Sequence, residues 1–510
     1  MTARPAKKLV LAVIDALSPD ALDRTIADNR APILAELVRR GEHARDCIST
    51  FPSLTPVAAS AITTGLGPDE HLIPSMNWYH RGEERYVEYG SSFPATRAFG
   101  VFRSLQDTVY NMNLAHLTPR HRTIFEQLDD AGLRTACTTY LIYRGRFRHE
   151  PAGDSRYRRL AEAAQFRHAV WGARELFYAD LFDSRGTGCS STLGMPGQRD
   201  RHAGCVGSYL VEHDLFDFML LSLPDNDTYS HRRGPEAQPT SIAEADRALE
   251  RVVHAAGGLD EFLADHAMIV MSDHSQSFVE QPVNLAHHLG DWRVLAPSDN
   301  APEEAELAVC PGARSAQVYV LDEARRDRML PKLTRHLRGV EGVDLTAWRE
   351  GDDAVVAGTA GELRFAPATK ADPAARPPAA GGAATAVRGR LEAADPRGAC
   401  WQVEGDLAVL DMAVDGAIAY GDYPDALGRL WSALACPRAG DVLLSATPGY
   451  EFVDWGGSHH QDGGSHGSLH RCDSLGVLLT CGVEGLPARR GQTHLLDVTP
   501  MIAAHFGLTS

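Results

Sequence analysis

Two absences in this 510-residue sequence exclude broad classes of protein. No apolar stretch reaches the roughly 20 residues that a membrane-spanning helix requires, so we predict no membrane span. Positive charge is also scarce, since the net charge is -17 at pH 7. This charge disfavours binding to a nucleic acid polymer, because such binding depends on basic side chains that displace counterions. The negative net charge does not exclude a small phosphate compound as substrate, because a local cation can attract it.

The nine cysteines contain no Cys-x-x-Cys pair, so the spacing typical of zinc–thiolate sites is missing. Their odd number rules out complete pairing within one chain. Scattered thiols are typical of a reducing compartment, and the sequence therefore predicts a cytoplasmic protein. The basic N-terminus and the apolar run 9–14 resemble a short signal peptide. However, the run ends at Asp15 without a small-residue cleavage site, which favours a buried strand.

Short apolar runs alternate with helical patterns through the first 290 residues. Strands are predicted at 9–14, 135–143, 216–223 and 266–272. The apolar spacing of residues 31–41 predicts a helix that ends at Gly41. Continuous apolar strands separated by helices indicate an α/β fold, with a mostly parallel central sheet flanked by helices on both faces.

The pattern changes after about residue 300. We predict a core formed by residues 1–300 and 441–510, interrupted at 301–440 by a smaller α+β cap insert. Residues 366–388 are rich in Ala, Pro and Gly, which predicts a flexible segment. The apolar runs 440–446 and 476–482 predict the return to the core. Because both ends of the insert lead to core strands, we expect it to lie beside the functional site.

Acidic residues follow three of the predicted strands. Asp15 and Asp273 come at or just after strand ends, and Asp227 follows the run 216–223. In open α/β sheets, ligands bind beyond the carboxyl ends of the strands. Carboxylates gathered there repel one another unless a cation lies among them. His231 and His274 accompany them, and mixed carboxylate and imidazole ligands suit zinc and other divalent metals.

A candidate nucleophile and a further histidine complete the pattern. Pro56 fits the first position of a helix, which would make Thr55 its N-cap. A hydroxyl there lies in positive potential, which favours an alkoxide and an incoming phosphate. The pattern alone leaves open whether Thr55 is a nucleophile or only a cap. His466 lies between glycines, a context that the nearby His459 and His460 lack.

The segment from residue 51 to residue 79 resembles the nucleophile motif of the type I phosphodiesterase/nucleotide pyrophosphatase family, within the alkaline phosphatase superfamily. The matching residues are Phe51, Pro52, Thr55, Thr64, Gly65, Pro68, His71, Ile73, Asn77 and Tyr79. Four further blocks resemble the family's motifs in the family's order: Asp15; Asp227 and His231 with Gly234 and Pro235; Asp273 and His274; and His466 with Gly467.

This resemblance implies an alkaline phosphatase-like fold and a two-metal hydrolase of phosphodiester or pyrophosphate bonds. The reaction would pass through a phosphothreonine at Thr55. The implied ligands of the first divalent ion, most simply Zn²⁺, are Asp227, His231 and His466. Those of the second ion are Asp15, Asp273, His274 and the hydroxyl of Thr55. Asn77 and Tyr79 are the candidate contacts to a small phosphate substrate.

Three residues depart from the family pattern. Ala58 stands where family diesterases place an Asn, Leu72 replaces a Gly, and His80 replaces an Asp. A phosphonate hydrolase or a phosphomonoesterase of the same superfamily therefore remains an alternative. A catalytically weak phosphate-binding protein is a further one. A sulfatase is disfavoured, because the Cys/Ser-x-Pro-x-Arg context of that class is missing. The sequence predicts neither the natural substrate nor the oligomeric state.

Overall fold

The computed structural model describes residues 6–151, 168–298, 304–368, 386–484 and 492–508. Within these ranges the largest elements are two eight-stranded sheets. The central sheet has the spatial order Glu42–Ile48, Leu475–Cys481, His266–Met271, Lys8–Ile14, Phe218–Leu223, Thr135–Thr138, Glu175–Tyr178 and Phe182–Asp183. The five strands from His266–Met271 to Glu175–Tyr178 run parallel to one another. The strands outside this group pair antiparallel with their neighbours.

The central strands are buried on both faces, which explains why they are continuously apolar. Leu9, Leu11 and Val13 belong to one hydrophobic cluster, whereas Val10 and Ala12 belong to another on the opposite face. Side chains alternate between the faces of a strand, so each face needs its own layer of helices. This arrangement confirms the predicted α/β fold with helices on both sides, and the sheet is mixed rather than wholly parallel.

The second sheet is antiparallel throughout. Its spatial order is Leu307–Gly312, Ser315–Val320, Val442–Ala446, Val343–Glu350, Asp353–Gly358, Gly361–Pro367, Cys400–Asp406 and Ala386–Ala394. The smaller strands are Asn77–His80, Arg85–Glu88, Phe147–His149, Val170–Gly172, Ser277–Val283, Met412–Asp415, Ala417–Tyr420, Gly449–Phe452 and Gly464–Ser465.

The α-helices are Pro19–Ala27, Pro32–Arg40, Thr55–Thr64, Pro68–His71, Phe93–Phe99, Val101–Gln106, Ile124–Asp130, Arg199–Glu212, Asp225–Arg233, Gln238–His254, Leu259–Asp265, Leu285–His288, Arg326–Arg338, Ala426–Ala435, Arg471–Ser474 and Val498–His505. Asp107–His116 is a π-helix. Short 3₁₀ turns lie at Pro235–Ala237, Glu323–Arg325, Leu407–Leu410 and Leu495–Asp497. No helix in these described ranges is long and apolar enough to cross a membrane.

Two predicted strands differ from the observed ones. The predicted strand 135–143 ends at Thr138, because Thr139 has a φ of +36°, which an extended strand does not allow. The run 440–446 forms the strand Val442–Ala446 in the second sheet, not in the central one. A fully buried apolar run looks the same in either sheet.

Two other expectations concern the predicted flexible segment and the cysteines. Within the predicted flexible segment 366–388, residues 369–385 lie outside the described residues. Cys189 and Cys205 form a disulfide bond, which the scattered spacing did not predict. Pairing depends on which thiols the fold brings together, and sequence separation alone does not reveal it.

Candidate active site

The carboxyl edge of the parallel strands gathers the predicted ligands. Asp15 follows the strand Lys8–Ile14 directly, and the helix that carries Asp227 begins two residues after the strand Phe218–Leu223. Asp273 follows the strand His266–Met271 after one intervening residue. These three strands are adjacent, with Lys8–Ile14 in the middle, so their ends deliver the three carboxylates to one place.

Thr55 lies at the same edge, at the start of the buried helix Thr55–Thr64. Its Oγ1 is 3.2 Å from Nε2 of His274. The predicted N-cap is wrong by one residue. Leu54 is the cap, because its backbone is extended and its carbonyl accepts the first helical bond, from the N–H of Ala58 at 2.9 Å. Gly65 ends the helix as predicted, in a left-handed conformation.

Asp15, Asp273 and His274 form a compact group whose potential ligand atoms all lie within 4.8 Å of one another. Nε2 of His274 is 3.4 Å from Oδ2 of Asp273 and 3.6 Å from Oδ1 of Asp15. Oδ1 of Asp273 accepts hydrogen bonds from the N–H groups of Ala16 and His274, at 3.1 and 3.0 Å. This carboxylate is thereby held in one orientation.

Asp227, His274 and His466 form a second group with ligand atoms within the same 4.8 Å limit. Nε2 of His466 is 3.6 Å from Oδ1 of Asp227, and Nε2 of His231 is 3.3 Å from the same oxygen. The rings of His274 and His466 stack with their centroids 3.7 Å apart. His274 therefore lies where the two groups meet, and the structure brings all six predicted ligands and Thr55 together.

The three histidines are oriented in the same way. Nδ1 of His231 is 2.7 Å from the carbonyl of Gly464, and Nδ1 of His466 is 2.8 Å from the carbonyl of Ser53. Nδ1 of His274 is 3.2 Å from the carbonyl of Ser275. A carbonyl can only accept, so each Nδ1 carries a proton and each Nε2 faces the site. Histidine ligands of metals are typically anchored through their second nitrogen in this way.

The electrostatics fit a pair of divalent cations. Oδ1 of Asp15 is buried and has no hydrogen-bond partner within the described residues. Burial, with repulsion from Asp273 and Asp227, holds the pKa of Asp15 well above its ordinary value. Burial lowers the pKa of His274 to about 4 and that of His466 to about 3, so both rings are neutral at pH 7. Metal binding requires neutral imidazole and ionised carboxylate, and bound cations would favour the ionised form of Asp15.

Asn77 and Tyr79, the candidate substrate contacts, lie on the buried hairpin strand Asn77–His80. Nδ2 of Asn77 donates to the carbonyl of Val87 at 2.9 Å, and its Oδ1 has no partner among the residues described. Tyr79 packs between Tyr86 and Tyr319, with ring centroids 5.7 and 5.9 Å away. Their contact with substrate stays a prediction.

The sequence did not indicate a role for three neighbours of the ligands. Gln276 donates from its side chain to Asp227, and it follows His274 by only two residues. The ring of His460 lies 4.1 Å from that of His231, and its Nδ1 is 2.7 Å from Oε1 of Glu451. Only the proximity of Gln276 to the Asp-His pair could have indicated its role. The pairing of His460 with Glu451 has no signal in the sequence.

A cavity opens beside the group that contains Asp227 and His466. It is lined by His231, His460 and His466, by the carboxylates of Glu451 and Asp454, and by apolar residues that include Leu54 and Phe452. Pro311, Gly312 and Ala313 also line it, so the hairpin that begins the second sheet reaches the site. The backbone N–H of Arg314 donates to the carbonyl of His466 at 2.8 Å, which ties this hairpin to a ligand.

The sequence profile of the type I phosphodiesterase/nucleotide pyrophosphatase family matches residues 9–469, which is most of the chain. The chain belongs to this family. Membership accounts for the order of the five motif blocks and supports hydrolysis of phosphoester bonds as the reaction. No curated protein sequence matches the chain.

Solved structures of low sequence identity have the same alkaline phosphatase-like fold. Phosphonoacetate hydrolase from Sinorhizobium meliloti 1021, in complex with phosphonoformate, is 17% identical with a TM-score of 0.53. The similarity covers 98% of this chain and 96% of that one. Murine ectonucleotide pyrophosphatase/phosphodiesterase 5 is 12% identical with a TM-score of 0.54, covering 99% of this chain and 96% of that chain.

Proposed function

We propose that this protein hydrolyses phosphodiester or pyrophosphate bonds with two divalent metal ions and Thr55 as the nucleophile. One observation carries the proposal: the Thr55 hydroxyl lies 3.2 Å from His274, the residue at which the two groups of ligands meet. A threonine that served only to begin its helix would not need to lie beside these ligand groups. Its placement among buried carboxylates and neutral imidazoles supports a reactive role.

Asp227, His231 and His466 would hold one ion, and Asp15, Asp273 and His274 the other. Zinc is the metal that this mixture of oxygen and nitrogen ligands suits best. Two such ions, when bound, would favour the ionised threonine and neutralise charge on the phosphate and the leaving oxygen. Thr55 Oγ1 would form a bond to phosphorus as the bond to the leaving group breaks, and water would then cleave the phosphothreonine.

The cavity favours an ester over a carboxylated phosphonate as substrate. Its lining, as far as the structure describes it, contains neither Lys nor Arg, whereas Glu451 and Asp454 both contribute carboxylates. A carboxylate on the substrate would lie near these two carboxylates without a lysine or arginine of the lining to pair with it, which is unfavourable. The apolar side chains of Leu54 and Phe452 suit the uncharged part of an ester. We therefore place phosphodiesters ahead of phosphonoacetate-like compounds.

The experiment is a matched set of variants assayed on a chromogenic phosphodiester. Thr55→Ala should lower kcat by roughly a thousandfold or more, because the covalent route needs an oxygen at this position. Thr55→Ser keeps the oxygen and should retain part of the activity. Metal content measured on the same samples should stay near two equivalents, since three charged or imidazole ligands hold each ion. Near wild-type turnover by Thr55→Ala would refute the covalent mechanism.

Two controls separate the metal ligands from their neighbours. Asp273→Asn should lose metal and activity together, because its carboxylate belongs to one ligand group. Asp225→Asn should keep its metal, since the Asp225 carboxylate instead accepts from Arg199 and from the N–H groups of Gly197 and Asp200. A metal-free preparation with undiminished turnover would contradict the two-metal proposal. A panel of diesters, pyrophosphates, monoesters and phosphonates ranks the substrates.

The division into a core at 1–300 and 441–510 and a cap insert at 301–440 remains a proposal. The contact of the hairpin at Pro311 to Ala313 with the cavity supports a cap that shapes the substrate site. A cytoplasmic location also remains a proposal, and the Cys189–Cys205 disulfide weighs against it, because reducing compartments rarely maintain such bonds.

A further inference from the structure

The two candidate metal sites differ in the number of charged ligands. The site formed by Asp227, His231 and His466, here called the first site, contains one carboxylate. The second site contains two, Asp15 and Asp273. Because fewer negative charges attract a divalent cation less strongly, the affinity of the first site should depend more on how firmly its two histidines are held.

One short segment, residues 460–465, contacts His231 at two points and leads directly into His466. The ring of His460 packs against the ring of His231, with centroids 4.1 Å apart and 30° between the ring planes. At the other end of the segment, the carbonyl of Gly464 lies 2.7 Å from Nδ1 of His231. The position of this segment therefore affects both histidines of the first site.

Glu451 fixes the two ends of this segment. It lies on the strand Gly449–Phe452 and is only 1% exposed. Its Oε1 accepts from Nδ1 of His460 at 2.7 Å and from the hydroxyl of Ser465 at 2.6 Å. Its Oε2 accepts from the backbone N–H of His460 at 2.5 Å. One carboxylate therefore joins the first and last residues of the segment.

The Glu451 carboxylate is ionised at neutral pH. Burial disfavours its charge, but the hydrogen bonds from His460 and Ser465 lower the pKa of Glu451 to about 2. Hydrogen bonds to an ionised acceptor are stronger than those between neutral groups. Glu451 belongs to neither ligand group found in the described part of the chain, and both of its oxygens already accept hydrogen bonds. Its contacts therefore suit it to hold the segment and not an ion.

The backbone of the segment lies very close to the helix Asp225–Arg233, which carries His231. A Cβ atom added to Gly463 would overlap the carbonyl oxygen of His231, and one added to Gly464 would overlap the side chain of Gln276. The two glycines allow this close approach. A displacement of the segment would therefore be transmitted directly to His231.

We propose that Glu451 is a positioning residue for the first site: it holds residues 460–465 against His231 and thereby sets the affinity for the ion bound there. The role rests on the proposed two-metal function. It makes the two ions unequal, because the second site has no contact with this segment through Asp15 or Asp273. Outer groups that orient metal ligands typically change metal affinity by about 10- to 100-fold.

The test measures zinc retained per chain after the metal-loaded, full-length protein is equilibrated in buffers of graded free Zn²⁺. Glu451→Gln keeps the size of the side chain but removes its charge. One of the two ions should then need roughly 10- to 100-fold more free Zn²⁺ for retention, while the other is retained as in the wild type. His460→Ala should weaken the same ion. The double variant should lose less affinity than the sum of the single variants, because both changes disrupt one contact.

Asp454→Asn is the matched control. Asp454 is another carboxylate that lines the same cavity. It accepts from the hydroxyl of Ser92 and from the N–H groups of Gly456 and Ser458, none of which is a candidate ligand. The retention of both ions should therefore match that of the wild type. A loss equal to that of Glu451→Gln would show a general effect of cavity charge and would overturn the positioning role.

A second background assigns the effect to one site. Asp227→Asn removes the only carboxylate of the first site, so adding Glu451→Gln to it should not change the retention of the remaining ion. Unchanged retention of both ions in the single variant Glu451→Gln, or an equal loss of both, would overturn the positioning role and leave the two-metal function standing. A wild-type protein that retains no zinc would instead overturn the proposed function, and the role of Glu451 with it.

Discussion

The buried ion pair between Arg314 and Asp473 gives a prediction with a defined magnitude. Both side chains have 0% exposure, and Nη1 of Arg314 lies 2.6 Å from Oδ1 of Asp473. Arg314→Met would leave the Asp473 carboxylate buried without its counter-charge. Removing one partner of such a pair typically costs about 3–5 kcal/mol. We expect about 3 kcal/mol, because Asp473 also accepts from Ser277 and from the N–H of Ser468.

The assay is urea unfolding of the metal-loaded protein, in a double-mutant cycle of Arg314→Met, Asp473→Asn and the double variant. The double variant should be less destabilised than the sum of the two single variants, because each change removes the same interaction. Arg247→Met, at the exposed pair with Glu244, is the control and should leave the urea midpoint unchanged. A cost below about 1 kcal/mol for Arg314→Met, or strictly additive effects, would refute the reasoning.

Three further outcomes are expected. Burial and the nearby Asp225 raise the pKa of Asp200 to about 8, from an ordinary value of 3.8, so the free energy of unfolding should fall as pH rises between these values. Asp200→Asn should reduce this pH dependence, measured as urea midpoints at several pH values, and an unchanged pH dependence would count against the reasoning. Cys205→Ala should lower the free energy of unfolding by about 3 kcal/mol, because it opens a loop that the disulfide closes across 16 residues. Equal stability of the wild-type protein with and without reductant would contradict this. Chelation should lower the thermal midpoint of the wild type more than that of Asp15→Asn, which has one fewer repelling carboxylate; equal shifts would argue against repulsion.

The clustering of several candidate ligands was predictable from the sequence, for a physical reason. Parallel strands buried on both faces are continuous apolar runs, and the residues that end them share one edge of the sheet. Asp15 and Asp273 were therefore predictable from local pattern alone. Thr55 was not, because a threonine before a proline has the same helix signals as a simple cap. The resemblance to a family motif was needed to distinguish the two interpretations.

The remaining features depend on contacts between distant parts of the chain. The strand Val442–Ala446 could belong to either sheet by its composition, and only its antiparallel pairing with Ser315–Val320 and Val343–Glu350 decides the matter. The Cys189–Cys205 disulfide and the pairing of His460 with Glu451 depend in the same way on loop paths. No local propensity encodes such contacts.

The spread of the ligands along the chain has a consequence for how the protein is made. The first and last candidate ligands, Asp15 and His466, are 451 positions apart. At roughly 5–20 residues per second, His466 is synthesised some 20–90 s after Asp15. During that interval the amino-terminal strands can pair, but the ligand set stays incomplete. The candidate site can therefore assemble only after His466 has been synthesised, and a ribosome-bound fragment that ends before His466 should not acquire the complete set.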